Sequence, residues 1–388
     1  MGRATAKPIN NMETILIVAG SGRMLAQAAK NAGLKPLVID LFADLDMQGY
    51  AEDFRRTASL AEQDLAPAVD YFIQRYAVTL VIYGSGFECF PESLHYLSSR
   101  LIMLGNHPDV FARQLDKPVF FSTLDDLSIP YPEVAFSTPA CTDDWLIKPM
   151  QGQGGTGIKL YHIGDEAKEP VYWQKFQSGT SHSVLFLADG QQVQVVGFNS
   201  QWPVRLSETQ EFVFSGVVNF TDLSDEHKTV ISGWLRQMVS VFGLKGLNSL
   251  DFIHVDGCSY VLEINPRPSA SMQLYDENLL VRHIQSCVEG ASVVALTPET
   301  GRLMSPPQIG YQIVYAEQDL IIPGQFEWPP WCMDLPKSGD MCRAGQPICS
   351  IIAHQKNSQS VVEKLRTQQQ LIISKLKGFD RHGIYSQR

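Results

Sequence analysis

The stretch LNSLDFIHVDGCSYVLEINPRP, residues 247–268, is where the reading of the fold turns. Two apolar-rich runs flank Asp256-Gly257, a dipeptide suited to a tight hairpin because both positions tolerate positive φ. Asp251 lies on the first strand, and Glu263 and Asn265 lie on the second. The two carboxylates stand at nearly equal distances from the turn, so the hairpin can set them almost opposite one another. Glu263 and Asn265 are two residues apart and share a face. Two carboxylates and a carboxamide on one sheet face make a hard oxygen site that suits Mg²⁺. A solvated polar face is the alternative, since antiparallel sheets often present one. The neighbours Phe252, Ile253, Val261, Leu262 and Ile264 read as buried on both sides, where carboxylates are costly without a cation. A metal site is therefore the expectation. Pro266 and Pro268 then bracket Arg267 and fix the backbone that carries it. A guanidinium held beside a metal suits a transferred phosphate or a substrate carboxylate, whereas a surface arginine in a proline-rich turn is the plain alternative.

Upstream, KPMQGQGGTG (148–157) places Lys148 ahead of Gly152, Gly154, Gly155 and Gly157. Each glycine loses backbone entropy on ordering, so the cluster needs a reason. One reason is a loose hairpin loop. The other is a lid whose bare amides close over phosphate, with Lys148 supplying charge. From about Trp145 the texture is of short strands split by glycine or polar turns: WLIKP, GIKLYHI, PVYWQKF, HSVLFLADG, QVQVVGF and FVFSGVVNF. A helix over 225–242 separates them from the hairpin. HPDVFARQLDKPVFFSTLDDLSIPYPEVAF reads as a helix with an exit at Pro130 and Pro132.

The N-terminal part reads strand, glycine turn, helix, strand over 14–19, 23–32 and 36–40, followed by a helix at 61–76 and a strand at 79–83. That order predicts a parallel α/β unit. AGSGR, with Asp40 twenty residues after Gly20, suggests a dinucleotide fingerprint, but Leu25 stands where the third glycine belongs. GSGFECFPESL (84–94) is a second glycine turn after a strand; a plain β–α connection is its simpler reading. Both turns should lie at the carboxyl edge of one sheet, where α/β proteins bind ligands. Ser21, Arg23, Ser85 and Glu88 are thus candidates for contacting a small substrate, Arg23 by a carboxylate and Glu88 by an ammonium. The tail from about Met304 is rich in proline and tryptophan, with two strands and a helix over 358–375 expected around it.

At 388 residues two or three domains are the default. Forty-one acidic against 31 basic residues give a net charge of −10, which argues against a general nucleic-acid binder and requires local positive charge for any anionic ligand. Seven scattered cysteines without a C-x-x-C suit free thiols in a reducing cytoplasm. No apolar run approaches a membrane span, and MGRATAKPINN lacks the apolar segment of a secretory leader.

The order of parts DKPVFFSTLDDLSIPYP, WLIKPMQGQGGTGI, VYWQKFQSGTSHSVLFLADG, LNSLDF and LEINPRPS resembles the ATP-grasp superfamily of ATP-dependent carboxylate ligases over residues 12–295. SGRMLAQAAKNAGLKPLVIDLFADLD and the tail are most similar to the carboligases described as related to biotin carboxylase, a group like the tyramine–glutamate ligase. The resemblance implies an α/β and α+β ATP-grasp fold. It would have an N-terminal parallel α/β domain (12–108), a small subdomain with the glycine lid (109–185), a large subdomain with the metal site (186–298) and a small β-rich extension (299–388). It implies that Lys117 and Lys148 contact ATP phosphates, that Gly152 to Gly157 form the lid, and that Gln174, Lys175 and Phe176 are the hinge holding adenine through its backbone. His182 falls among the nucleotide contacts. Asp251, Glu263 and Asn265 would bind two Mg²⁺ ions, or Mn²⁺, and Arg267 would stabilise the phosphoryl group. The chain departs from the common pattern at Gln174 and Asp251, where glutamate is frequent. Arg205, expected on a strand facing the site, and Ser269 join the substrate candidates.

The reaction implied is ADP-forming joining of a small acid and an amine through an acylphosphate, on amino-acid-like substrates in coenzyme or small-molecule biosynthesis. A homodimer is compatible with this, and neither nucleic acid nor membrane is expected as a partner. Two rivals stand beside the ligase: a nicotinamide-dependent oxidoreductase using AGSGR and Asp40, and an ATP-binding module without catalysis.

Overall fold

The computed structural model describes residues 13–383 apart from 142–143, 166–168, 277, 289–292 and 294–306. The expected boundary at 298/299 lies outside the described residues. The N-terminal unit alternates strands and helices: β1 (Thr14–Val18), α1 (Arg23–Asn31), β2 (Lys35–Asp40), α2 (Leu45–Tyr50), β3 (Asp53–Arg56), α3 (Glu62–Tyr76), β4 (Leu80–Tyr83), α4 (Glu92–Arg100) and β5 (Ile102–Met103). Its strands pair in parallel in the order β3-β2-β1-β4-β5. β1, β2 and β4 are buried almost throughout because helices cover both faces, as parallel sheets require.

The segment expected as a single helix is two, α5 (Pro108–Leu115) and α6 (Lys117–Asp126). Asp116 breaks it: its carboxylate accepts the Val119 amide at 3.1 Å, capping a new helix that begins with Lys117-Pro118. Then β6 (Val134–Ala135), β7 (Trp145–Pro149), β8 (Lys159–Leu160) and β9 (Val171–Lys175) form a small antiparallel sheet in the order β6-β9-β7-β8.

The long strands β10 (Thr180–Asp189), β11 (Val193–Val204) and β12 (Val213–Val218), helix α7 (Asp225–Phe242) and the hairpin β13 (Lys245–Val255) with β14 (Cys258–Asn265) build the large unit, flanked by α8 (Leu279–Cys287). The extension adds β15 (Gln308–Tyr315), β16 (Leu320–Ile321), β17 (Cys332–Met333), β18 (Met341–Cys342), β19 (Pro347–Gln355) and α9 (Ser358–Gly383). It is no separate layer. β15 pairs with β12, so one antiparallel sheet runs β14-β13-β10-β11-β12-β15-β19-β17 from the hairpin into the extension. Tyr311 and Ile313 on β15 thereby reach the same cleft as the hairpin.

β10 shows how the large sheet divides its faces. Val184 and Phe186 belong to one core with Leu235 and Met238 of α7, while Leu185 and Leu187 belong to another with Leu279 and Leu280 of α8 and Leu25 and Ala26 of α1. The N-terminal unit and the large sheet thus share a core on one face of β10. Among the described residues no helix is long and apolar enough to cross a membrane.

Candidate functional site

A cleft of about 1070 Å³ lies between the three sheets and the extension. The hairpin lines one wall with Asp251, Glu263 and Asn265. Its turn is Asp256 (φ 50°) and Gly257 (φ 77°), as the residue types require. A strict hairpin register from the Val255–Cys258 pair would set Asp251 opposite Leu262. Leu262 is instead the extra residue of a β-bulge, and Asp251 pairs with Glu263. The bulge is what brings the two carboxylates together. Asp251 Oδ1 accepts Gln201 Nε2 and its Oδ2 accepts Asn265 Nδ2, both at 3.0 Å. Burial and the charge of Glu263 raise the Asp251 acid above its usual range. Glu263 lies 3.6 Å from the Nζ of Lys117, at the start of α6. Two adjacent carboxylates and the Asn265 carboxamide fit a hard divalent cation such as Mg²⁺ by their donor chemistry. Gln201, on β11, was not singled out in the sequence; an isolated glutamine in an alternating strand carries no signal of its own.

Across the small sheet Lys148 is buried, its Nζ donating to Gln174 Oε1 at 3.0 Å and lying 5.7 Å from the Tyr172 ring centroid. Burial, only partly opposed by Glu263, pulls its pKa down to about 8. Gln174 Nε2 is buried without a hydrogen-bond partner among the described residues. Two of the three hinge amides are taken within the protein. The Lys175 amide donates to Glu133 O (2.8 Å) and the Phe176 amide to Asp144 O (2.6 Å), so neither amide is available to a base. The Lys175 ammonium lies 4.8 Å from the Trp145 ring centroid. Phe176 and Gln177 line the cleft.

The glycine loop crosses this wall. Gly152, Gly154 and Gly155 line the cleft, while Gly157 packs against Pro149. Gly154 O accepts the Phe214 amide at 2.8 Å. At Gly155 the φ is +74° and a Cβ would stand 1.9 Å from Phe212 O, so only glycine allows this approach.

Arg267 is set from below and gripped from the side. Its preceding Pro266 carbonyl accepts Tyr83 OH (3.0 Å) and Asn106 Nδ2 (2.9 Å), two residues of the N-terminal half. Arg267 Nε donates to Glu88 Oε1 at 2.5 Å, and another guanidinium nitrogen donates to Asn265 Oδ1 at 3.3 Å. The two glycine turns also meet: the Gly20 amide donates to Ser85 O at 2.6 Å. Ser21, Arg23, Ser85, Glu88 and Ser269 all line the cleft, and Ser269 Oγ lies 3.0 Å from Ser271 Oγ.

Several expectations fail here. Glu88 does not hold its charge open to an ammonium; it is spent on the Arg267 guanidinium and on the Gly86 amide at 2.8 Å. Arg23 does not present a free guanidinium to a carboxylate, because Asp334 of the extension holds it at 3.0 Å and Gln27 and Gln273 take its remaining nitrogens. Burial opposes the Arg23 charge, but Asp334, with Tyr311 and Asp46, more than restores it, and Arg23 in turn holds Asp334 below the usual carboxylate range. His182 points away from the cleft. Ser181 and Ser183 line it, so alternation puts His182 on the α7 face, stacked on Phe252 (5.6 Å) and bonded by Thr180 and Thr221. Arg205 follows the last residue of β11, is exposed, and does not line the cleft. Asp40 is also spent, on the Gly22 and Ala43 amides, which removes the carboxylate a dinucleotide ribose would need.

Residues 115–271 match the ATP-grasp domain family. An uncharacterised protein of Methanocaldococcus jannaschii is 22% identical over 57% of this chain and 53% of its own length. The carbamoyl phosphate synthase large chain of Clostridium beijerinckii is 23% identical over 45% of this chain and 17% of its own. The chain therefore spans about half of one curated relative and a small part of the other. Among solved structures, the biotin carboxylase–β-γ-ATP complex from Campylobacter jejuni superposes with TM-score 0.69 at 14% identity, over 91% of this chain and 90% of that one. The biotin carboxylase domain dimer of Hydrogenobacter thermophilus 2-oxoglutarate carboxylase, in complex with MgADP, ADP and bicarbonate, gives 0.69 at 13%, over 92% and 90%. The L-amino acid ligase from Bacillus licheniformis gives 0.66 at 14%, over 92% and 96%.

Proposed function

Because this chain carries an ATP-grasp domain on an ATP-grasp fold, we propose that it is an ATP- and Mg²⁺-dependent carboxylate–amine ligase forming an amide through an acylphosphate. The observation that carries the reading is the wall where Lys117 and Lys148 converge on the Asp251–Glu263 pair beneath a glycine loop. An acid's carboxylate oxygen attacks the γ-phosphorus, the bond to the β-bridging oxygen breaks, and ADP leaves. Lys117, Lys148 and Arg267 hold the phosphates in line and oppose the charge that builds on them. An amine then attacks the acyl carbon; the C–O bond to phosphate breaks, orthophosphate leaves with the electron pair, and the amine loses a proton. Asp251, Glu263 and Asn265 would hold Mg²⁺, two ions in this reading, which when bound neutralises phosphate charge.

An L-amino acid ligase among the structural neighbours supports amino-acid-like substrates, and a carboxylase domain dimer among them supports a homodimer. Seven free thiols suit a cytoplasmic setting. The experiment is a screen of purified protein with Mg·ATP against amino acids crossed with amines, reading ADP and the amide by mass. The ligase forms both in equal amounts with at least one pair. Nucleotide binding without ADP from any pair would favour the non-catalytic module.

A further inference from the structure

The N-terminal side of the cleft holds one buried carboxyl group, Asp44, that has no partner among the described residues. Four acidic side chains act on one another there: Asp40 at the end of β2, Asp44 and Asp46 at the start of α2, and Asp334 from the extension. Three are satisfied inside the protein. Asp40 accepts the Gly22 amide at 3.2 Å and the Ala43 amide at 2.8 Å. Asp46 accepts the amides of Asp334 (3.0 Å) and Leu335 (2.9 Å). Asp334 takes Arg23 Nε at 3.0 Å and Ser21 Oγ at 3.4 Å.

Asp44 differs. It is 8% exposed and lines the cleft, yet no hydrogen bond or ion pair reaches its carboxylate among the described residues. Arg23 is the cation whose field reaches it, and that guanidinium is already engaged by Asp334, Gln27 and Gln273. Burial, followed by the charges of Asp334, Asp40 and Asp46, pushes the Asp44 acid up to about 8. A buried carboxylate facing a cleft under such repulsion lacks a counter-charge, and a ligand cation would supply it. Met24, Leu41 and Phe42 line the same side, so the carbon stem of that cation would lie on apolar surface.

We propose that Asp44 is an ammonium-binding subsite, and that one substrate of this cleft is a primary ammonium compound with an apolar stem. The word substrate rests on the ligase reading; the binding does not. Asp44 takes the part expected of Glu88, which Arg267 already occupies.

The test measures thermal protection of the wild type and of Asp44→Asn, with and without Mg·ATP. The probes are putrescine, cadaverine, L-lysine, L-ornithine and tyramine, each beside its N-acetylated form, in which the amide carries no charge. At least one ammonium compound should protect the wild type, and the form acetylated at the amine that binds should not. Asp44→Asn should weaken that protection about tenfold or more, the usual effect of losing a charged hydrogen-bond partner. Without ligand, Asp44→Asn should melt at or above the wild type, because an unpaired carboxylate has been relieved. Should no probe protect the wild type better than the variant, the subsite is overturned. If Asp44→Asn loses its Mg·ATP protection through misfolding, the same comparison is read on Asp44→Ser. ADP is assayed in the same samples with added acids. Ammonium protection without ADP would leave the subsite standing and sink the ligase. ADP formation by Asp44→Asn at unchanged half-saturating amine would do the reverse.

Discussion

The two walls of the cleft keep their charges in opposite ways. On the wall built by the hairpin and the small sheet, Lys117 and Glu263 pair at 3.6 Å, but Lys148 is buried against a neutral carboxamide and Asp251 is bonded by two carboxamides rather than by a cation. On the N-terminal wall, Arg23 is closed by Asp334 and Arg267 by Glu88. A buried ion answered only by neutral dipoles remains poorly compensated, whereas a close ion pair satisfies both members. Lys148 and Asp251 on the first wall thus keep charge that a ligand would answer in the proposed reading, whereas the second wall is largely scaffold that fixes Arg267 and docks the extension. Asp44 is the exception on the scaffold side.

The sharpest way to break this contrast is Glu263→Gln. If the hairpin holds the metal, ADP formation should fall by about a thousandfold or more while folding and bare nucleotide binding persist. Turnover at the wild-type rate in Mg²⁺ would remove the metal site. Asp334→Asn tests the other wall. Removing one member of a buried pair leaves Arg23 uncompensated, which costs about 3–5 kcal/mol, so denaturant unfolding should shift strongly. A normal unfolding midpoint would mean that the Arg23–Asp334 pair is not scaffold.

A smaller effect is expected at the lid. Gly155→Ala places a methyl against Phe212 O and strains a positive φ, so the loop must lift. The apparent KM for ATP should rise about tenfold, and the 151–157 loop should be cleaved faster by protease even with Mg·ATP. Unchanged cleavage would return the loop to a plain hairpin connection. The mildest effect is in pH. Lys148 ionises near 8 in the free protein, and contact with phosphate raises that value, so binding takes up a proton above it. Mg·ATP affinity should be level below about pH 8 and weaken above it, by at most about tenfold per unit. Gln174→Glu should move the break to higher pH, since a carboxylate would then face the lysine.

What was legible in the sequence was local. The Asp256-Gly257 turn, the alternation that puts Glu263 and Asn265 on one face, and the glycines after Lys148 each follow from a few adjacent residues. What was not legible depends on distant partners. Arg23 meets Asp334 from 311 residues away, and no local pattern announces that the extension will add β15 to the sheet beside β12. The same holds for Glu88, whose expected role took its charge to be free while Arg267, 179 residues away, already holds it. At His182 the strand alternation turns the neighbours Ser181 and Ser183, not the imidazole, to the cleft, and no local pattern sets which. The Leu262 bulge is subtler still: the carboxylates do face one another, but through an irregularity that simple counting from the turn does not supply.

The central claim is that this cleft activates a carboxylate by phosphoryl transfer. Once the screen yields an active acid–amine pair, the acid is labelled with ¹⁸O in its carboxylate and the released phosphate and nucleotide are examined by mass. Transfer to the γ-phosphorus predicts ADP and one ¹⁸O carried into each orthophosphate, because the C–O bond of the acylphosphate is the one that breaks. AMP with labelled AMP oxygen, or orthophosphate that carries no label, would contradict it.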